Sequence, residues 1–274
     1  MSTPDPVHGT LPEGLEFELS GRVATVRLAR PDTLNSLTFE IYGALRDLFA
    51  RLEHDDRVKV VVITGTGDRG FCSGGDVHDI IGRLVGYGAA DMTRFARMTG
   101  DVIRNMRRLR KPIVAALNGM AAGAGAVIAL ASDFRVATDD AKIAFLFTKV
   151  GLTGADMGAA FLLPRVVGLA KATELLMLGD SVKAAEAERL GLFHRVVPAA
   201  ELPGAVQALV ERLEAGPGFS LGMTKELLNN ALAFDLDTAL DAEARAQTIC
   251  MLGEDFKEFH RSFVEKRKPR FEGR

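Results

Sequence analysis

Lys111-Pro112-Ile113-Val114-Ala115-Ala116-Leu117-Asn118-Gly119-Met120-Ala121-Ala122-Gly123-Ala124-Gly125-Ala126-Val127-Ile128-Ala129-Leu130-Ala131-Ser132-Asp133 is the stretch on which the fold turns. From Pro112 to Ser132 it carries no charge, and by length alone it could cross a bilayer. Its composition argues otherwise. Alanine is only weakly hydrophobic in a membrane, and Asn118-Gly119 is a turn signal in the middle of the run. A buried strand over Pro112–Leu117, a turn, and a buried helix over about 123–131 account for it better. No membrane partner is expected.

Strands and helices alternate on both sides of this stretch. Leu15–Ser20 and Arg22–Ala29 alternate apolar and polar side chains around Gly21, the pattern of a hairpin of half-buried strands. Leu37–Leu52 has apolar residues at helical spacing, and Val58–Thr64 is a β-branched run suited to a strand covered on both faces. A helix over about 91–109 precedes Pro112, and a strand over Asp133–Thr138 follows the second helix. This order predicts an α/β core with right-handed crossovers. From about Ala155 the texture is helical, broken by a short strand at Phe193–Val197, with further breaks at Gly216-Pro217-Gly218 and near Phe234-Asp235. The expected organisation is a loose N-terminus (1–13), a core (14–200) and a C-terminal helical region (201–274).

The whole chain has 274 residues, 34 Lys and Arg against 36 Asp and Glu, and a net charge of −2. Nothing in that balance suggests a nucleic-acid partner. Two cysteines, Cys72 and Cys250, suit a reducing compartment. The first residues lack a basic and then apolar leader, so a cytoplasmic location is expected. The five histidines (8, 54, 78, 194, 260) show no metal-ligand spacing.

Two motifs mislead. Gly65-Thr66-Gly67-Asp68-Arg69-Gly70 fits the dinucleotide-binding fingerprint, but Gly70 runs on into further loop rather than a helix. Gly218-Phe219-Ser220-Leu221-Gly222 fits the nucleophile elbow of hydrolases, yet a helix rather than a strand precedes it. Ser220 is expected to N-cap the helix carrying Lys225 and Glu226.

The chemistry is expected at two glycine-containing turns, Arg69-Gly70-Phe71-Cys72-Ser73-Gly74-Gly75-Asp76 and Asn118–Gly125. Each follows a buried strand and opens a helix. The first N–H groups of a helix lack intrahelical acceptors, and the helix dipole favours negative charge there. Two such ends at one sheet edge can aim two donors at one oxygen, as an oxyanion or enolate requires. The residue types alone also allow two ordinary tight turns.

With these motifs, Arg30-Pro31, Asn35-Ser36-Leu37, Gly70–Asp76, Lys111–Gly119, Leu163-Pro164-Arg165-Val166-Val167-Gly168 and Phe263–Phe271 together, the chain resembles the crotonase (enoyl-CoA hydratase/isomerase) superfamily from about Leu15 onward. The resemblance implies a spiral of ββα units with a C-terminal helical trimerisation region, and homotrimers or dimers of trimers. It implies an acyl-CoA substrate, whose thioester oxygen meets the backbone N–H groups of Gly75 and Ala124. CoA-binding positions fall on Thr33, Leu34, Ser73 and Gly74, with Phe263 and Lys266 near the adenine and phosphate. No metal or other cofactor is implied, since CoA arrives as part of the substrate.

The acid–base residues depart from the hydratase pattern. The two glutamates of hydratases fall here on Val127 and Phe147, and neither can transfer a proton. Asp156 instead matches the single catalytic aspartate of the dienoyl-CoA isomerase and 1,2-epoxyphenylacetyl-CoA isomerase branches, with one extra residue between Gly151 and Asp156. Its other expected role is to N-cap a helix beginning at Met157, and the two are compatible. In an apolar pocket of Val127, Phe147 and Met157 its pKa would rise by desolvation. Isomerisation is the expected reaction. The alternatives are hydration, thioester hydrolysis, decarboxylation or a lyase reaction on the same oxyanion hole, or a catalytically weak acyl-CoA-binding protein. Asp76 is expected to anchor the helix after its loop, His78 to be solvated, and Cys72 to pack rather than react.

Overall fold

The computed structural model describes residues 9–231 and 233–273; most of the N-terminal segment expected to be loose, residues 1–8, lies outside them. Leu15–Ser20 (β1) and Val23–Leu28 (β2) form the expected antiparallel hairpin. Helix α1 spans Phe39–Leu52, two residues short of the expected start. Leu37 is instead held in a bridge to Gly75, and Thr38 caps the helix by accepting from the Ile41 N–H at 3.3 Å.

Strands β3 (Val60–Gly65) and β4 (Gly70–Cys72) lead into a π-helical turn at Val77–Ile81, the short α2 (Gly82–Leu84) and α3 (Ala89–Arg108). Next come β5 (Ile113–Leu117), β6 (Met120–Ala122) and α4 (Ala124–Ala131), then β7 (Phe134–Thr138), β8 (Lys142–Ala144) and α5 (Ala159–Val167). The chain continues through α6 (Leu169–Leu178), β9 (Val182–Lys183), α7 (Ala184–Arg189) and β10 (Arg195–Val197). It ends in α8 (Leu202–Glu214), α9 (Gly218–Ala231), α10 (Leu236–Leu252) and α11 (Glu254–Val264).

A six-stranded sheet has the order β1-β2-β3-β5-β7-β10, parallel except at the hairpin, and a second sheet has the order β4-β6-β8-β9. Each turn of the chain supplies one strand to each sheet and then a helix: β3-β4-α3, β5-β6-α4, β7-β8-α5. This is a spiral of ββα units. The second sheet corrects the reading of residues 70–75 and 118–125 as loop and turn, since β4 and β6 lie within them. It also disposes of the dinucleotide fingerprint, because Gly70 opens a strand.

Period-two alternation explains why β3, β5 and β7 are apolar on both faces. Val61, Ile63, Ile113, Ala115, Leu117 and Ala137 face the main core with α1, α3 and α4. Val60, Val62, Val114, Ala116 and Val136 face a second layer with Leu202, Val206, Val210 and Leu213 of α8. All eight residues of α4 are buried, which is why its sequence carries no charge. Its C-terminal carbonyls are met by a buried cation from the next strand: Arg135 donates to Leu130 O at 3.1 Å and Ser132 O at 2.5 Å.

Ser220 lies inside α9 rather than at its cap, because the helix begins earlier and Leu221 N–H already donates to Pro217 O at 3.0 Å. No helix begins at Met157. Met157 and Gly158 both have positive φ (+50° and +88°), so α5 starts only at Ala159.

Candidate active site

The first glycine turn is held by a polar frame. Leu34 and Asn35 adopt left-handed backbone (φ +52° and +59°), and the buried Asn35 side chain ties that bend down. Its amide donates to Thr66 O at 3.0 Å and Gly70 O at 2.6 Å, while its oxygen accepts from Arg30 N–H at 2.9 Å. The bend in turn fixes the loop, since Ser73 N–H donates to Leu34 O at 2.9 Å and Ser73 Oγ to Thr33 O at 2.9 Å. Four expected CoA-binding positions, Thr33, Leu34, Ser73 and Gly74, are thereby brought together.

Asp76 closes the loop as expected. Its Oδ1 accepts from the N–H groups of His78 (3.0 Å) and Asp79 (3.1 Å), and its Oδ2 from Arg30 Nη1 at 3.0 Å. These bonds hold its carboxyl below the usual range, the Asp79 amide contributing most. His78 is exposed. Cys72 is fully buried, which pushes its thiol up to about 12 and makes it inert at neutral pH.

The second turn lies directly against the first. Gly74 has φ +101°, and a Cβ there would stand 3.1 Å from Ala122 O and 3.5 Å from Ala124 N. Ala124 is the first residue of α4 and is absent from the non-glycine residues with positive φ, so a side chain is tolerated. Leu37 N–H donates to Gly74 O and Asp76 N–H to Leu37 O, which skips Gly75. Among the described residues the N–H groups of Gly75 and Ala124 have no acceptor. Two unpaired donors stand at adjoining loops, one of them at the positive end of a buried helix, where an anionic oxygen would be stabilised.

Asp156 is half-buried on the segment between Gly151 and Gly158. It does not cap a helix in the expected way; its Oδ1 accepts from the adjacent Met157 N–H at 2.8 Å. Desolvation raises its pKa and that single bond opposes the rise. The segment is pinned at Gly154, where a Cβ would stand 2.1 Å from Leu176 O. Val127, Phe147 and Met157 are buried in the same cluster as Ala124 and Ile80.

Two expected residues are not brought to this place by contacts within the chain. Phe263, at the end of α11, is 74% exposed, and Lys266 is exposed just beyond it. One residue was missed. Tyr42 of α1 is buried, and its Oη lies 3.6 Å from where a Cβ of Gly75 would be. Its only sequence signal is a place beside Ile41 on an amphipathic helix, which marks a core position and nothing more.

The model of the enoyl-CoA hydratase/isomerase family matches residues 18–274. The 1,2-epoxyphenylacetyl-CoA isomerase of Escherichia coli K12 is 36% identical over 263 residues, covering 95% of this chain and 100% of that protein. The short-chain-enoyl-CoA hydratase of Clostridium acetobutylicum is 31% identical, covering 92% and 95%. A solved structure from Streptomyces coelicolor A3(2), presented as a candidate enoyl-CoA hydratase, superposes with a TM-score of 0.94 at 50% identity, covering 100% of this chain and 98% of that one. The spiral, the paired loops and these similarities agree: the chain is an acyl-CoA enzyme belonging to the enoyl-CoA hydratase/isomerase family.

Proposed function

We propose that the enzyme isomerises an unsaturated acyl-CoA by moving one proton between carbons of the acyl chain. The Asp156 carboxylate takes a proton from carbon. The C–H electron pair passes into the chain and onto the thioester oxygen, which the N–H groups of Gly75 and Ala124 hold as an enolate. The resulting carboxylic acid returns the proton to another carbon, so the double bond moves and no atom is gained. The observation that carries this reading is a half-buried carboxylate whose hydrogen bonding, among the described residues, is confined to one backbone N–H, with a raised pKa. Such a group is a stronger base than an exposed aspartate and can also act as an acid. Val127 and Phe147 support it too, because hydration by the family's glutamate pair needs carboxylates where they stand.

Thr33, Leu34, Ser73 and Gly74 would cradle the CoA end. Phe263 and Lys266 would meet adenine and phosphate within a trimer, with copies of the chain packing on the exposed apolar side chains of α10 and α11.

A panel of enoyl-, dienoyl- and arylacetyl-CoA thioesters, analysed by mass spectrometry in H₂¹⁸O, tests the reaction. Product without ¹⁸O supports isomerisation, and incorporation favours hydration or hydrolysis. Asp156→Asn is expected to lower kcat/KM by about 100-fold or more on any accepted substrate. Wild-type kcat/KM should rise with pH to a plateau whose midpoint lies above that of an ordinary aspartate, because the base must be deprotonated. Full activity in Asp156→Asn would remove the proposed base.

A further inference from the structure

Tyr42 is 3% exposed, and its ring is held edge-on against Phe95 at 5.8 Å, with Phe39 tilted against Phe95 at 4.6 Å. Its hydroxyl points at the Gly75 loop. Among the described residues that hydroxyl has no hydrogen-bond partner. The hydroxyl is not among the side-chain oxygens shut off from solvent without a partner, so it keeps a small opening to water, which a ligand seated on the Gly75 loop would close. An unpaired phenol at the mouth of an oxyanion loop therefore points to a partner that arrives with the ligand.

We infer that Tyr42 is a specificity-determining residue, whose hydroxyl donates a hydrogen bond to an oxygen carried on the acyl chain of the substrate. The inference rests on the acyl-CoA reading above and narrows it to oxygen-bearing acyl groups. The surroundings favour an acyl oxygen over other partners. The thioester oxygen would already have two backbone donors, and the Phe95 ring against Tyr42 and the Ile80 side chain against Gly75 offer no acceptor. A pure hydrocarbon chain would leave the phenol unpaired. The titratable groups facing it are Cys72 and Asp156. Burial first, and then the charge these groups would carry when ionised, push the phenol well above its ordinary pKa, so it remains a proton-bearing donor throughout the working range.

The test is binding by calorimetry of hexanoyl-CoA and three analogues in which an ether oxygen replaces the C3, C4 or C5 methylene. None of the four can be isomerised, and an ether oxygen can only accept. Wild-type protein should bind at least one analogue about 5-fold or more tighter than hexanoyl-CoA, and Tyr42→Phe should bring that ratio to within about 2-fold. Each ratio is taken within one protein, so a general loss of affinity or folding in the variant cancels. No preference in the wild type, or one that survives Tyr42→Phe, overturns the inference. If no thioester binds the wild type, the acyl-CoA reading falls and this one with it. If the ether preference behaves as stated while Asp156→Asn retains turnover, the base is wrong and Tyr42 stands.

Discussion

The site is assembled from two regions built in opposite ways. The paired glycine turns are backbone pressed on backbone. Met120 N–H donates to Arg69 O at 3.1 Å, Asn118 donates to Gly67 O and Gly70 O at 2.8 and 3.1 Å, and α4 approaches β4 so closely that a Cβ on Gly125 would stand 2.2 Å from Cys72 O. The Asp156 segment runs between two left-handed glycines, leaves Leu152, Thr153 and Ala155 exposed, and touches its neighbours tightly at Gly154. The difference divides the chemistry. Donors made of main chain in a close-packed frame can stabilise an enolate whatever follows, whereas the side chain proposed to move the proton sits where substitution and insertion are tolerated. The same oxyanion site can then serve several reactions.

A matched pair of substitutions would break this comparison most severely. Gly125→Ala and Gly154→Ala each place a methyl group against a carbonyl oxygen, at 2.2 Å and 2.1 Å. At Gly125 the obstacle is β4 inside the core and nothing nearby can yield. A stability loss of about 3 kcal/mol or more is expected, read as a large fall in Tm or as insoluble protein. At Gly154 the exposed loop can shift. The fall in Tm should be smaller, while kcat drops about 10-fold or more as Asp156 is displaced. Equal losses of stability would mean that the base loop is as rigid as the turns.

The same division governs what the sequence shows by itself. The long parallel strands and α4 were legible, because covering Val60–Ile63 and Ala124–Ala131 on all sides leaves an unmistakable apolar run. The second sheet was not, since β4, β6 and β8 are three residues each and β9 only two, too short for alternation to register. That Thr33, Leu34, Ser73 and Gly74 lie together was reachable, because their two motifs bond to each other in the fold. The cap proposed at Asp156 failed because Met157 takes a left-handed conformation that an ordinary side chain gives no warning of. The placing of the Tyr42 hydroxyl could not be found, since only the folding of α1 brings this core tyrosine's oxygen against the Gly75 loop.

Two carboxylates, one from each region, sharpen the comparison at lower energies. Asp76, in the rigid frame, has its pKa lowered by the Asp79 amide and then by Arg30 and Ser36. A lowered folded-state value means that the charged form is favoured by folding. Its stabilisation is present above the unfolded pKa and is lost as pH falls through the folded one. Asp76→Asn weakens the bonds from Arg30 and the helix amides, so a loss of about 1–2 kcal/mol is expected at neutral pH. The gap to wild type in thermal melts should narrow as the pH is lowered.

Asp156 should show the opposite slope. Its pKa is raised by desolvation, so between the unfolded and folded values the native state holds the proton more often than the unfolded chain. With fewer protons bound in the unfolded state, stability falls as pH rises through this window, and above it the full cost of a buried charge persists. Asn at this position can still accept the Met157 N–H bond but carries no charge to desolvate. Asp156→Asn is therefore expected to melt above wild type at neutral pH, by about 0.5–1 kcal/mol, with the difference vanishing in acid. This is the smallest of the expected effects and the most discriminating, because the same variant must lose activity. A gain in stability together with a loss of turnover is the mark of a charge kept for chemistry. A loss of both would make Asp156 another strut like Asp76.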